Sequence, residues 1–410
     1  MKLHRIDQNP TQPSTSEEAS STMPPVTPNR PPTRGLWLLA VLAVLGLACV
    51  LLAPSVVVGR DSPAAATESE AATTDAVQTS AVTVTLQPPA VPEAGSIGVT
   101  PAGRPPQFVV LSFDGAGSVD LWQHWREVAI RDHAHFTFFL SGVYLLTPAH
   151  AATYHGPRHA AGVSDIGNLP TPMGDDPAVY LRDLLGQVAA GYREGNEIAS
   201  HFNGHFCAPR PASVGSWTAA DWATEIDQFS ALLANVSADN ALTPPAALPL
   251  GPPQVVGTRT PCLEGRFDTL YPVLAQHGFR YDASQSAREG LWPERKDGIW
   301  SFPLASVPLA GRKVHVLSMD YNLYVNQSRA RDVVPSKEPE IEAQAYATFM
   351  GYFDRAYQSN RAPISIGAHF TRWNDGAYQN ALTRFADDVC RRPEVRCVSY
   401  RDLADWLDAQ

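Results

Sequence analysis

The chain has 410 residues, is 44% hydrophobic, and carries 31 Lys and Arg against 41 Asp and Glu, a net charge of −10. That length suits one large domain or two ordinary ones. An acidic balance without a long basic run argues against a nucleic-acid partner, and nothing in these numbers constrains oligomeric state.

Residues 1–35 are polar and rich in Pro, Ser and Thr, which predicts a disordered tail. Residues 36–58, LWLLAVLAVLGLACVLLAPSVVV, carry no charge and are long enough to span a bilayer as a helix. Lys2, Arg5, Arg30 and Arg34 precede this run and predict a cytoplasmic N-terminus. A signal peptide would normally have a shorter apolar region and a less extended leader, so the expectation is an uncleaved single-pass anchor. Residues 59–106 lack periodicity and read as a flexible stalk. The remainder, 107–410, would then lie outside the cytoplasm, at the cell membrane, where disulfides form. Cys49 falls within the apolar run. Cys390 and Cys397 bracket the short loop RRPEVR and are expected to pair, which leaves Cys207 with Cys262; the alternative is that some of these cysteines are reduced and buried.

From residue 107 onward, apolar β-rich runs alternate with amphipathic ones. The predicted strands are FVVLSF, HFTFFLS, EIASH, VVGTR, FRYD, IWSFPL, VHVLSM, PISIGAH and RCVSY. Helical spacing predicts helices over 179–192, 217–236 (with Thr218 and Asp221 as N-terminal signals), 267–277 (stopped by Gly278), 340–360, 377–391 and 400–408. This alternation argues for a parallel α/β fold, and the number of units favours a distorted barrel of seven or eight strands. The stretch 147–176, rich in Gly, Pro and His, predicts an ordered loop over the strand ends.

Chemistry in such a fold sits at the C-terminal ends of the strands. Asp114, His201, His205, Arg259, Asp282, Asp320 and His369 all end or follow an apolar run. His201 and His205 bound HFNGH; in a regular strand they would stand about 13 Å apart, too far to share an ion. Asn203-Gly204 is a strong turn signal and predicts a bend that brings the imidazoles together. There is no H-E-x-x-H or G-x-S-x-G, and DGAGS lacks the third glycine of a dinucleotide fingerprint.

SFDGAG, HFNGH, the RTP at Arg259–Pro261 and the GAHF containing His369 occur in an order that resembles the polysaccharide deacetylase family, also called carbohydrate esterase family four. GLWPERKDGIWSFPL and NRAPISIGAHFTRWNDG are similar to the branch containing chitin deacetylases of the animal type. The resemblance covers roughly residues 108–407. It implies a distorted (β/α) barrel, a divalent metal, usually zinc, and an acetylated cell-surface or cell-wall polysaccharide as substrate. His201 and His205 would be metal ligands, Asp114 the general base, Arg259 its orienting partner and His369 the general acid. Asp282 matches loosely as a further orienting group.

The family's second motif Asp, its third metal ligand, corresponds here to Gly115. Three outcomes follow from that. Asp114 becomes a ligand, another carboxylate such as Asp320 or Asp282 fills the position, or the protein is a catalytically weak relative that binds glycan without deacetylating it. Trp122, Trp125, Tyr281, Trp292, Trp300, Tyr321 and Trp373 are the aromatic candidates for a sugar surface, with Trp373 favoured because it lies four residues after His369.

Overall fold

The computed structural model describes residues 103–410. The predicted tail, membrane anchor and stalk therefore lie outside the described residues, among which no helix is long and apolar enough to cross a membrane. The strands are β1 (Gln107–Gly115), β2 (Thr137–Leu140), β3 (Glu197–Ser200), β4 (Gly257–Thr258), β5 (Tyr281–Asp282), β6 (Ser286–Arg288), β7 (Glu294–Lys296), β8 (Ile299–Ser301), β9 (Leu304–Pro308), β10 (His315–Leu317), β11 (Ile364–His369) and β12 (Val395–Cys397). The helices are α1 (Val119–Asp132), α2 (Pro177–Arg193), α3 (Ala219–Asp239), α4 (Phe267–Gln276), α5 (Asp320–Ser328), α6 (Glu338–Gln358), α7 (Trp373–Val389) and α8 (Tyr400–Asp408).

The main sheet runs β11-β1-β2-β3-β4-β5-β8-β7, with β12 also pairing to β1. All its pairs are parallel except β7 with β8. A second sheet, β10-β9-β6, contains an antiparallel pair, β9 with β10. The expected barrel of seven or eight strands is thus an α/β architecture whose ladder does not close regularly. Between β10 and β11 there is one bridge, Met319 to Gly367, reinforced by the Ser318 hydroxyl donating to Ser365 O at 2.7 Å. β6 and β7 had no predicted counterpart: both are three residues long, and β7 is fully exposed, so neither shows an apolar run.

β1 shows how period-two alternation builds the site. Val109, Leu111 and Phe113 join the large core cluster that includes residues of α1, α2 and α7. Phe108 and Val110 point the other way, into a cluster with Phe139, Tyr281, Phe302 and, from α8, Tyr400, Leu403 and Trp406. A central parallel strand is buried on both faces, which explains the continuous apolar run. The same alternation puts Ser112 and Asp114 on the interior face above Val110.

The local signals held where side chains close their own caps. Thr218 and Asp221 form a reciprocal capping box at the start of α3, and Ser399 with Asp402 does the same at α8. Both predicted disulfides are present, Cys207–Cys262 and Cys390–Cys397.

Candidate active site

β1, β3, β4, β5 and β11 run parallel, so their C-terminal ends lie along one edge. Asp114 near the end of β1 and His369 at the end of β11 are paired residues in the ladder. Asp114 is 4% exposed, and its Oδ1 accepts from Arg259 Nη1 at 2.8 Å. Arg259 is fully buried and crosses the interior. It donates to Ser112 Oγ at 2.9 Å, Ala283 O at 3.0 Å and Tyr400 Oη at 3.1 Å, with its guanidinium 4.4 Å over the Phe139 ring. Burial alone would raise the Asp114 pKa, but Arg259, followed by His201 and His369, outweighs it and holds the carboxyl below its usual value.

His369 Nδ1 donates to Asp320 Oδ1 at 2.7 Å, and its backbone N–H donates to Asp320 Oδ2 at 2.7 Å. Burial lowers its pKa, and Asp320 overcomes that, so the imidazole titrates above its ordinary value. The side chain remains 25% exposed, so a substrate can reach it.

His201 Nδ1 donates to Arg259 O at 2.8 Å, which leaves Nε2 as the unprotonated nitrogen of the neutral ring. Burial pushes its pKa down to about 3, and burial, then His369, also lowers that of His205. The predicted bend does bring the two rings together: their centroids are 5.1 Å apart. Two imidazoles sharing one ion at tetrahedral angles would have ring centres about 5 Å apart. The mechanism of the bend differs from the expectation, however. Positive φ falls at Phe202 and His205, both 56°, and not at Asn203 or Gly204. Gly204 is needed for space, since a Cβ there would stand 2.5 Å from the Phe206 ring and 2.6 Å from Tyr154 Oη. Glu225 of α3, absent from the sequence reading, clamps the turn. Its Oε1 accepts from Asn203 N at 2.9 Å and Gly204 N at 3.4 Å, and Tyr154 Oη donates to its carboxylate.

The donor set fits a divalent ion at two nitrogens, with His201 oriented by a backbone carbonyl in the manner usual for metal-bound imidazole. Asp320 and Asp282, the carboxylates of one of the three outcomes for the third ligand, are engaged elsewhere. Asp320 is committed to His369 and to Tyr321 N–H. Asp282 is fully buried, its oxygens taken by Ser284, Tyr271 and Thr258, and burial pushes its pKa up to about 6 despite those hydrogen bonds. Its hydrogen bonds therefore tie β4, α4 and the turn after β5 together and do not reach the histidine pair. Among the described residues no carboxylate joins both imidazoles in a trio with ligand atoms within 4.8 Å of one another. The trio that does meet this distance is His205, Cys207 and Cys262, whose sulfurs are bonded to each other. Gly115 sits at φ +92°, a backbone that side chains rarely adopt.

Of the aromatic candidates, Trp122, Trp125 and Tyr281 are core. Trp292 stacks on Trp406, and Trp300 donates to Asp408, both of α8. Tyr321 and Trp373 lie beside His369, with ring centroids 6.1 Å and 5.2 Å away, and Trp373 stacks on Tyr324 at 5.0 Å. The 147–176 stretch is the ordered loop expected. Asp165 N donates to Gly204 O at 2.9 Å, and His159 stacks on Phe206 at 3.7 Å, so the loop lies directly on the histidine turn.

Family 4 carbohydrate esterases are among the solved structures similar to this chain. A provisionally named polysaccharide deacetylase from Mycobacterium smegmatis is 15% identical, with 74% of this chain and 90% of that one covered and a TM-score of 0.44. A family 4 carbohydrate esterase from Streptomyces lividans is 13% identical, covering 71% and 91%, with a TM-score of 0.35. A pseudoenzyme of the same family from Bacillus anthracis is 10% identical, covering 73% and 66%, with a TM-score of 0.36. No protein-family model matches the chain, and no curated protein matches it. The functional reading therefore rests on this chain's own side chains.

Proposed function

We propose that this protein is a polysaccharide deacetylase-like hydrolase that removes acetyl groups from an acetylated glycan. The observation that carries the reading is the convergence of two separately held dyads, Asp114–Arg259 and His369–Asp320, beside the His201–His205 pair. Asp114, kept ionised by Arg259, would accept a proton from the attacking water. His369, whose protonated form Asp320 favours, would donate one to the departing amine or alkoxide. His201 and His205 would hold a divalent ion, zinc by the family resemblance, which when bound polarises the acetyl carbonyl and makes water more acidic. Tyr321 and Trp373 would offer ring faces to the sugar beside the acid. The apolar run at 36–58 would anchor the chain in the cell membrane, with the hydrolase on the extracytoplasmic side.

A second reading, a glycan-binding relative with little turnover, is favoured by one observation: Gly115 supplies no carboxylate, and among the described residues no other carboxylate completes the histidine pair.

The test is acetate release from a panel of N- and O-acetylated glycans, with and without chelator, for the native protein, Asp114→Asn and His369→Asn. The hydrolase reading expects losses of about 10²- to 10⁴-fold in each variant and loss of activity on metal removal. Release that survives Asp114→Asn unchanged would rule it out. Absence of release, together with glycan retention and little bound metal, would establish the binding reading.

A further inference from the structure

His205 Nδ1 lies 3.5 Å from Cys207 Sγ, and the ligand atoms of His205, Cys207 and Cys262 all lie within 4.8 Å of one another. Cys262 is exposed, so a reductant can reach the disulfide. The two cysteine segments are also held together by contacts other than the disulfide. Ala208 N–H donates to both oxygens of Glu264 at 3.2 and 3.1 Å, two residues beyond Cys262. Cleaving the bond therefore leaves the sulfurs neighbours. Two thiolates and one imidazole are a donor set that soft or borderline cations such as zinc prefer over imidazole alone. Thiolates on one zinc ion stand about 3.8 Å apart when each bond is about 2.3 Å, a separation reachable by side-chain rotation with the Cα atoms 6.1 Å apart.

We propose that the Cys207–Cys262 disulfide masks a second, thiolate-rich metal site made of His205, Cys207 and Cys262. A dithiol donates two electrons and two protons, the S–S bond breaks, two cysteine thiols form, and the dithiol leaves as its own disulfide. A divalent zinc ion then displaces the two thiol protons and binds both sulfurs and the His205 ring. A neutral imidazole has one unprotonated nitrogen and so serves one ion at a time. Reduction thus withdraws His205 from its pairing with His201 and switches the centre off. That last consequence rests on the metal reading of the pair; the thiolate site does not.

The probe is cobalt(II) added to the full-length protein, oxidised or reduced, with excess reductant removed. The reduced protein is expected to show the near-ultraviolet thiolate-to-cobalt charge-transfer band, and the oxidised protein to lack it. The band should vanish in Cys207→Ser/Cys262→Ser, which retains Cys49, Cys390 and Cys397. His205→Ala should weaken cobalt binding to the reduced protein roughly tenfold or more. A band that persists in the double variant, or affinity unchanged in His205→Ala, overturns the proposal. If the double variant does not fold, Cys207→Ser alone should halve the band, and an undiminished band counts against it. Cobalt bound to the oxidised protein without the band reports the His201–His205 pair separately, so either reading can fail alone.

Discussion

Asp114 and His369 are neighbours across the β1–β11 ladder, yet each is gripped from a different part of the chain: Asp114 by Arg259 after β4, His369 by Asp320 at the start of α5. Arg259 lowers the pKa of the Asp114 carboxyl and Asp320 raises that of the His369 imidazole, so two groups side by side on neighbouring strand ends are tuned in opposite directions.

Arg259 is the more expensive of the two partners to remove. Replacing it with Met leaves the Asp114 charge buried and unpaired, which is expected to cost about 3–5 kcal/mol. Chemical denaturation of the variant against the native protein checks this. Arg259→Met/Asp114→Asn should recover part of that loss; a double variant as unstable as the single one would show that Arg259 acts mainly through its bonds to Ser112, Ala283 and Tyr400.

Asp320→Asn tests the imidazole. Asp320 raises the His369 pKa, so the acid form persists to higher pH than an ordinary histidine allows. Activity that needs the protonated ring falls as pH rises through that raised value. In Asp320→Asn the fall should begin at lower pH, with the acidic side of the profile less affected. For stability the sign is the same: the Asp320 contribution is fully present below the unfolded-state pKa and lost as pH rises through the folded one. A profile that does not move would separate Asp320 from the proton chemistry.

Gly115→Asp would restore a carboxylate at the sequence position where the resembled family has its metal ligand. Here the backbone is at φ +92°, and the new Cβ would stand 3.4 Å from the Tyr144 ring. The expectation is destabilisation by about 1–3 kcal/mol from backbone strain. A variant as stable as the native protein that binds zinc more tightly would contradict this, and would show that the turn can accept the ligand.

Glu225 provides a pH test of the histidine turn. Burial pushes its pKa up to about 7, its hydrogen bonds only partly opposing that. The unfolded chain ionises Glu225 near its ordinary value, so native stability should decline as pH rises from about 4.5 to 7 and level off above. Glu225→Gln should flatten that decline and be relatively more stable at pH 8 than at pH 5. Thermal denaturation across pH checks it; an unchanged slope would assign the decline to other groups.

The sequence made the strand ends legible because parallel strands buried on both faces are written as unbroken apolar runs, and the residue that ends each run stands out. The HFNGH bend was legible as a bend but not in its geometry. Asn203-Gly204 suggested where φ would turn positive, while in the structure Phe202 and His205 carry the positive φ and Gly204 serves close packing against Phe206 and Tyr154. Glu225 was not legible at all, because a helical glutamate looks solvent-facing until its distant partners Tyr154, Asn203 and Gly204 are known. Asp320 was legible as a polar residue after an apolar run, but its pairing with His369 was not. Its proximity to His369 comes from the bridge between Met319 and Gly367, a tertiary contact with no local signature. The irregular closure was hidden for a related reason: β6 and β7 are each three residues long and carry no apolar run.

The loop lying on the histidine turn carries one more implication. His159 is stacked on Phe206 and Asp165 is tied to Gly204, so the residues on either side of His205 rest on a stretch with no helix or strand of its own beyond a short 3-10 turn. Trimming or lengthening that stretch would not remove a single atom from the His205 ring, yet it would re-aim it, as a loosened bracket tilts the lamp it carries, while the His201 ring stays fixed on the Arg259 carbonyl.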